Sequence, residues 1–144
     1  MLKTFKFKVC FITESITRFS ENCSPFKKID HIGSAEASVS IKLKKIELIF
    51  QFYILSANKE FLAVLPTYLR DSNLVVIEDE GCSINVDSVL NETKKADINK
   101  NRIIILDEYE EPNILIKKAV LSCLVRYKLV KPSQFENWIE KVSI

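Results

Sequence analysis

The chain has 144 residues, of which 47% are hydrophobic and 28% charged, so its composition is that of a globular protein and not of a disordered one. This length is enough to bury a core without disulfides or metal, and we expect residues 1–144 to form a single domain. The net charge of +2 is too small to identify a partner, and the presence of only two glycines disfavours folds that bind phosphate through glycine-rich loops.

The N-terminal half is rich in strand-forming residues. Residues 2–13 predict a first strand, and the polar stretch 14–36 predicts a loop or a short helix. The β-branched and aromatic residues that follow predict strands at 37–44, 46–55 and 60–66. These three strands would form a hairpin core.

Local chemistry explains two boundaries of this hairpin core. Asn58 tolerates the left-handed conformation that tight turns need, and Pro66 cannot donate a hydrogen bond to a strand ladder. The strand at 46–55 is apolar on both faces, which would leave an aggregation-prone surface on a monomer. We therefore expect a homodimer, with an interface that includes Leu48, Phe50, Phe52 and Ile54.

The second half begins with shorter elements. After a bend at residues 70–73, short strands are predicted at 74–77 and 83–86. The lysine- and asparagine-rich stretch 88–101 predicts an exposed helix or loop. The apolar run at 102–106 predicts a strand buried on both faces.

The C-terminal region changes to a helical period. Pro112 suits the first turn of a helix, and the apolar residues after it predict a long helix at 113–129 that lies across a sheet. A second, short helix would dock through Phe135, Trp138 and Ile139. The predicted fold is therefore α+β: a mainly antiparallel sheet built on a central hairpin, with a long C-terminal helix packed on it and a short final helix.

Catalytic and metal-binding patterns are missing from the sequence. His31 is the only histidine, and the four cysteines are scattered without a CxxC pair. We therefore expect no enzyme activity, no metal and no cofactor. Scattered cysteines favour reduced thiols in the cytoplasm. Because the N-terminus lacks a continuous apolar stretch, we expect neither a signal peptide nor a membrane-spanning run.

Two charged clusters flank the start of the C-terminal helix. The acidic cluster could engage a basic protein partner, and it consists of Asp107, Glu108, Glu110 and Glu111. The basic cluster could bind the phosphates of nucleic acid, and it consists of Lys117, Lys118, Arg126, Lys128 and Lys131. A charged run is also typical of a solvated helix face, so both clusters have a purely structural alternative.

Several short motifs resemble the SpoVG family of bacterial septation and sporulation regulators. The matching segments are Ala37-Ser38-Val39-Ser40, the turn residue Asn58, Leu65-Pro66-Thr67 at the end of an apolar strand, and Ala119-Val120-Leu121 followed by Tyr127. Relative to that family, residues 71–101 would be an insertion. The resemblance implies a small dimeric protein that binds nucleic acid.

Two functions remain open from the sequence. The first is a small regulatory nucleic-acid-binding protein, dimeric and only weakly sequence-specific, supported by the basic cluster and the lysine-rich N-terminal strand. The second is a protein-interaction module of the immunity or inhibitor type that acts by surface complementarity, supported by the acidic cluster.

Overall fold

A five-stranded sheet with helices on both faces forms the described part of the computed structural model, which comprises residues 3–13, 34–43, 45–78, 86–106 and 111–129. The strands are β1 (Lys3–Thr13), β2 (Ser34–Leu43), β3 (Ile46–Ser56), β4 (Leu74–Glu78) and β5 (Ile103–Leu106). The helices are α1 (Leu65–Leu69), α2 (Val86–Lys95) and α3 (Pro112–Arg126), with 3-10 turns at Lys59–Val64 and Lys100–Arg102.

The sheet is mostly parallel. Its strand order is β2-β3-β1-β4-β5, and β1 pairs in parallel with both β3 and β4, as β4 does with β5. Only β2 runs antiparallel, as the hairpin partner of β3. The predicted α+β class is confirmed, but the predictions of a mainly antiparallel sheet and of a central hairpin core are wrong, since β2 and β3 form the only described hairpin and β2 is an edge strand. An apolar strand pattern reports burial and does not report the direction of the neighbouring strand.

Residues 59–69 are helical, so the predicted strand at 60–66 is wrong. A 3-10 turn leads directly into α1. Pro66 lies in the first turn of α1, where a backbone N–H would have no partner within the helix, so proline is tolerated there. Leu65 and Leu69 are both buried, as helical spacing requires. Asn58 is not left-handed either, since its φ is −59°.

The larger core lies between the sheet and α3. Alternate residues of the strands point to this side, where the ring centroids of Phe7 and Phe50 are 5.0 Å apart and those of Phe50 and Phe52 are 5.9 Å apart. Ile116 and Val120 of α3 are fully buried against them. Leu48, Phe50, Phe52 and Ile54 all belong to this core and are fully buried within the chain itself. A dimer would therefore need another surface.

A second core lies on the opposite side of the sheet. It contains Cys10 and Ile12 of β1 together with Leu55, Val75 and Ile77, and it packs against α1 and α2 through Leu65, Leu69 and Val89. Helices α1 and α2 belong to the connections between successive parallel strands, β3 to β4 and β4 to β5. Such connections need a crossover, which explains the helices on this side.

Residues 71–101 contribute a strand to the sheet and a helix that packs on it. The bend before β4 is present, with Asp71 in the left-handed region at φ 62°. All five residues of β4 are buried beside the central strand β1. Of the strand predicted at 83–86, only Val86 lies in the described residues, and it begins α2. The strand predicted at 102–106 is present as β5, but Ile105 is 45% exposed, so β5 is not buried on both faces.

Helix α3 has 15 residues and ends at Arg126, so the predicted long C-terminal helix at 113–129 is also wrong in length. Lys128 adopts a left-handed conformation at φ 61°, which prevents the helix from continuing. The short final helix predicted around Phe135 lies outside the described residues. Within the described ranges, no helix combines the length and apolar character needed to cross a membrane.

Candidate nucleic-acid interface

Strands β1 and β3 are both longer than β4, which pairs with β1. The first residue of β4, Leu74, pairs with Val9, whereas β1 and β3 pair from Lys3 and Ile46 onward. The amino halves of β1 and β3, together with the second half of β2, therefore project beyond β4 as a three-stranded ribbon. We call this part the strand extension; it comprises residues 3–8, 38–42 and 45–51.

The two faces of the strand extension differ in polarity. On the α3 side, Phe7, Leu48 and Phe50 are buried. On the other side the register aligns Lys8 with Gln51 and Ser38 in one row, and Lys6 with Ile49 and Ser40 in the next. Because side chains alternate along a strand, the segments whose apolar side chains build the core also present these rows of aligned side chains to solvent. Lys6, Ser38 and Ser40 are exposed.

Positive charge is concentrated on the strand extension. Its residues include five lysines and one glutamate, Glu47, which gives a net charge of +4 against +2 for the whole chain. Four of these lysines are exposed: Lys3, Lys6, Lys42 and Lys45. A local excess of this kind attracts polyanions even when the whole molecule is nearly neutral.

Aromatic rings continue the polar face toward α1. The Lys8 ammonium lies 5.2 Å from the ring centroid of Tyr53, and it also donates a hydrogen bond of 2.7 Å to the Arg70 carbonyl oxygen. Tyr68 contacts Tyr53 edge-on at 6.4 Å and Phe61 at 5.6 Å between centroids. All three rings are half-buried, so part of each remains open to solvent.

Tyr53 keeps its proton at neutral pH. Partial burial, followed by the negative charge of Glu36, raises the pKa of its phenol. The ring therefore adds no negative charge to the basic face, and its hydroxyl remains a hydrogen-bond donor.

Asn73 fixes the edge of the strand extension at the point where β4 begins. The Asn73 Oδ1 accepts a 2.8 Å hydrogen bond from the Lys8 backbone N–H, and the Asn73 backbone N–H donates to the Lys8 carbonyl oxygen at 2.8 Å. The Asn73 Nδ2 donates to the Tyr127 hydroxyl at 2.7 Å. One side chain thus ties β1, the bend before β4 and the turn after α3 together.

The basic residues predicted on the C-terminal helix do not form one cluster. Lys117 and Lys118 are half-buried in the middle of α3, whereas Arg126 is eight residues beyond Lys118 and donates to the Asn101 carbonyl oxygen. Lys128 lies in the turn beyond the helix end, so its position cannot be derived from helical spacing. Lys131 lies outside the described residues.

The acidic cluster is only partly described. Glu111 is exposed immediately before α3, and Asp107, Glu108 and Glu110 lie outside the described ranges. In the part of the chain that the structure describes, no three acidic, histidine or cysteine side chains are grouped as metal ligands.

Sequence reasoning missed three buried polar residues at the carboxyl ends of adjacent strands. Thr13 pairs with Ser56 at the ends of β1 and β3, and Glu78 ends β4 one step beyond the Ile12–Ile77 pair. All three are 2–3% exposed. A single polar residue after an apolar run looks like an ordinary strand boundary, so nothing in the sequence distinguishes these positions.

The signal for the strand extension was present in the sequence. Lysines alternate with apolar residues from Lys3 to Lys8, and further lysines lie at the β2–β3 connection. What the sequence did not show is that β1 lies beside β3 in parallel, which brings Lys6 and Lys8 onto the same face as Lys42.

Comparisons with known protein families and with curated proteins find no match for this chain. The resemblance to the SpoVG family therefore stays a prediction. In the structure, the Leu65-Pro66-Thr67 segment that supported it lies in α1 and not in a strand.

Proposed function

We propose that this protein is a cytoplasmic, non-enzymatic regulator that binds single-stranded nucleic acid with little dependence on sequence. The proposed surface is the polar face of the strand extension. The observation that supports the proposal is that three lysines, Lys6, Lys8 and Lys42, share one face of the strand extension with a single glutamate, next to half-exposed aromatic rings. The Lys117–Lys131 stretch is a weaker candidate because its described members are dispersed.

The charges supply affinity without sequence preference. Lys6 and Lys8 are two positions apart on one strand face, about 7 Å along β1, and Lys42 lies two strands away, roughly 10 Å across the sheet. Each lysine that meets a phosphate releases counterions from the nucleic acid, which makes the affinity depend steeply on salt.

The aromatic residues favour a single strand over a duplex. Bases of a single strand are free to stack on tyrosine and phenylalanine rings, and such stacking tolerates any base. Tyr53 and Tyr68 offer half-exposed rings at the border of the basic face. The major groove of a duplex admits an α-helix or a two-stranded ribbon, whereas the strand extension is three strands wide and presents one face.

A set of charge-matched variants tests this proposal. The first replaces Lys6, Lys42 and Lys45 with glutamine, and the control replaces Lys59, Lys94 and Lys100, which are also exposed but lie elsewhere. A third variant replaces Lys117, Lys118 and Lys128. Binding to a fluorescent oligothymidine of about 30 nucleotides is followed by anisotropy at salt concentrations from about 20 to 300 mM.

The parent protein and the control should bind alike at low salt. The strand-extension variant should bind more weakly, and its slope of log affinity against log salt should be shallower by about 2, as expected when three phosphate contacts are lost. Loss of binding in the α3 variant alone would assign the site to the basic cluster of the C-terminal helix. No binding by the parent at low salt would overturn the proposal and favour the protein-interaction module.

A further inference from the structure

A polar cavity lies at the amino ends of β4 and β5. It has a volume of about 380 Å³ and is bounded by the bend before β4, the end of α2 and the turn before β5. This volume lies within the usual range for sites that hold a small ligand. We call the cavity the charged pocket, because five charged side chains line it: Arg70, Asp71, Lys95, Asp97 and Arg102.

Two turns position the carboxylates of the charged pocket. Helix α2 ends at Asp97, which is left-handed at φ 59°, and the N–H groups of Asp97 and Ile98 donate to the carbonyl oxygens of Lys94 and Thr93, both at 3.0 Å. Asp71 is left-handed too, at φ 62°. Asparagine suits this conformation as well as aspartate does, so the geometry of the turns does not by itself require a negative charge at either position.

Most of the charges in the pocket are not neutralised by a neighbour. The Lys95 ammonium lies 3.0 Å from the Glu92 carboxylate, but the other four charged groups of the lining form no ion pair within the described part of the chain. All four of these side chains are exposed. Two guanidinium groups and two carboxylates therefore line one cavity. Such a lining suits a ligand that carries both an anionic group and a hydrogen-bond donor.

The charged pocket adjoins the polar face of the strand extension. The Lys8 ammonium donates a hydrogen bond of 2.7 Å to the carbonyl oxygen of Arg70, whose side chain lines the pocket. Both regions also lie on one side of the sheet, because Ala96 of the lining packs in the second core with Cys10, which shares a face of β1 with Lys8. A single strand that lies across the polar face can therefore reach the pocket directly.

The mixed charge of the pocket favours the end of a strand over its middle. An internal nucleotide is flanked by two phosphates, and the carboxylates would repel the second one. A 3′-terminal nucleotide carries a single phosphate, on its 5′ side, and a free 3′-hydroxyl. An arginine guanidinium can bind two phosphate oxygens at once, and a carboxylate accepts a hydrogen bond from a hydroxyl.

We propose that the charged pocket binds the 3′-terminal nucleotide of the single strand. Its phosphate would bind to Arg70 and Arg102, and its 3′-hydroxyl would donate to Asp71 or Asp97. This inference rests on the proposed function, since the strand extension supplies most of the affinity and the pocket selects the end of the strand.

Two forms of one short oligonucleotide test the proposal. An oligothymidine of about eight nucleotides carries a fluorophore at its 5′ end and either a hydroxyl or a phosphate at its 3′ end, and anisotropy reports its binding at low salt. The parent protein should bind the hydroxyl form about tenfold more tightly, because a terminal phosphate removes the donor and adds negative charge beside the carboxylates. Equal affinities, or tighter binding of the phosphate form, would overturn the proposal but not the proposed function. Binding of neither form would overturn both.

A pair of double variants assigns any preference to the pocket. Asp71→Asn with Asp97→Asn keeps residues that tolerate the left-handed conformation but removes both carboxylates, so this variant should bind the two forms alike. Arg70→Gln with Arg102→Gln should weaken binding of the hydroxyl form by about tenfold, whereas the lysine control of the previous section should behave as the parent does. A full preference in the aspartate variant, or unchanged affinity in the arginine variant, would place the 3′ end elsewhere and overturn the proposal.

Discussion

Burial determines the chemistry of the two cysteines in the described residues. The Cys10 sulfur lies 3.2 Å from the Ser72 hydroxyl, and burial raises its pKa from 9.0 to about 11 even though that hydrogen bond and Lys8 act in the opposite direction. Burial likewise raises the pKa of Cys123 to about 12. Both thiols stay protonated at neutral pH and are therefore poor nucleophiles.

These two thiols should make the fold sensitive to alkaline pH. Their pKa values are higher in the folded than in the unfolded chain, so above pH 9.0 the unfolded state loses protons that the folded state retains. Stability should fall as pH rises from 9 toward 11, by about 2 kcal/mol from Cys10 alone. Urea unfolding at a series of pH values measures this loss.

The matched variant carries Cys10→Ala and Cys123→Ala. Its unfolding free energy should be less dependent on pH above 9 than that of the parent, while both should be independent of thiol ionisation near pH 7. Identical alkaline slopes for the variant and the parent would show that other groups cause the loss.

At the scale of elements, the crossover from β3 to β4 explains why residues 59–69 are helical. β3 ends at the carboxyl end of the parallel strands, whereas β4 starts beside Val9 in the middle of β1, so residues 57–73 must return along the sheet. The continuous apolar run from Phe61 to Leu65 has no period that separates a buried strand from a buried helix. The crossover from β3 to β4 decides that this run forms a helix and not a strand.

Alanine substitutions distinguish these two conformations in solution. In a strand, Leu65, Thr67 and Leu69 would share one face, whereas in α1 the two leucines are fully buried and Thr67 is exposed. Leu65→Ala and Leu69→Ala should each lower the unfolding free energy by about 2–5 kcal/mol. Thr67→Ala should change it by less than about 0.5 kcal/mol, measured by urea denaturation. A comparable loss in all three variants would contradict the helix.

For the whole molecule, the strand order predicts which strands open locally and which open only with much of the structure. β1 has partner strands on both sides and buried residues on both faces over Val9–Thr13, whereas β5 has one partner and an exposed Ile105. Buried, doubly paired backbone opens only with much of the structure, and edge backbone opens locally.

Hydrogen exchange followed by mass spectrometry of the dilute protein should therefore show the slowest exchange in β1 and β3 and faster exchange in β5. Equal protection of β5 and β1 in the dilute protein would be inconsistent with the described sheet.

The sequence by itself determined most individual elements. Strands β1 to β5 lie close to their predicted positions, and so does the start of α3 at Pro112, because hydrophobic periodicity and proline positions are local properties. The lysine alternation that forms the strand extension was visible too. The sequence did not show the thiol pKa values or the burial of the polar residues Thr13, Ser56 and Glu78, because both depend on what surrounds a side chain.

Tertiary structure alone decided how the elements are arranged. The parallel pairing of β1 with β3 joins residues more than 40 positions apart, and no local pattern specifies such a partner. That pairing buries Phe50 and Phe52 inside the chain, where sequence reasoning placed a dimer interface, and it gathers Lys6, Lys8 and Lys42 on one face. The apolar surface of a strand shows that it is covered, but only the packing of the whole chain shows what covers it.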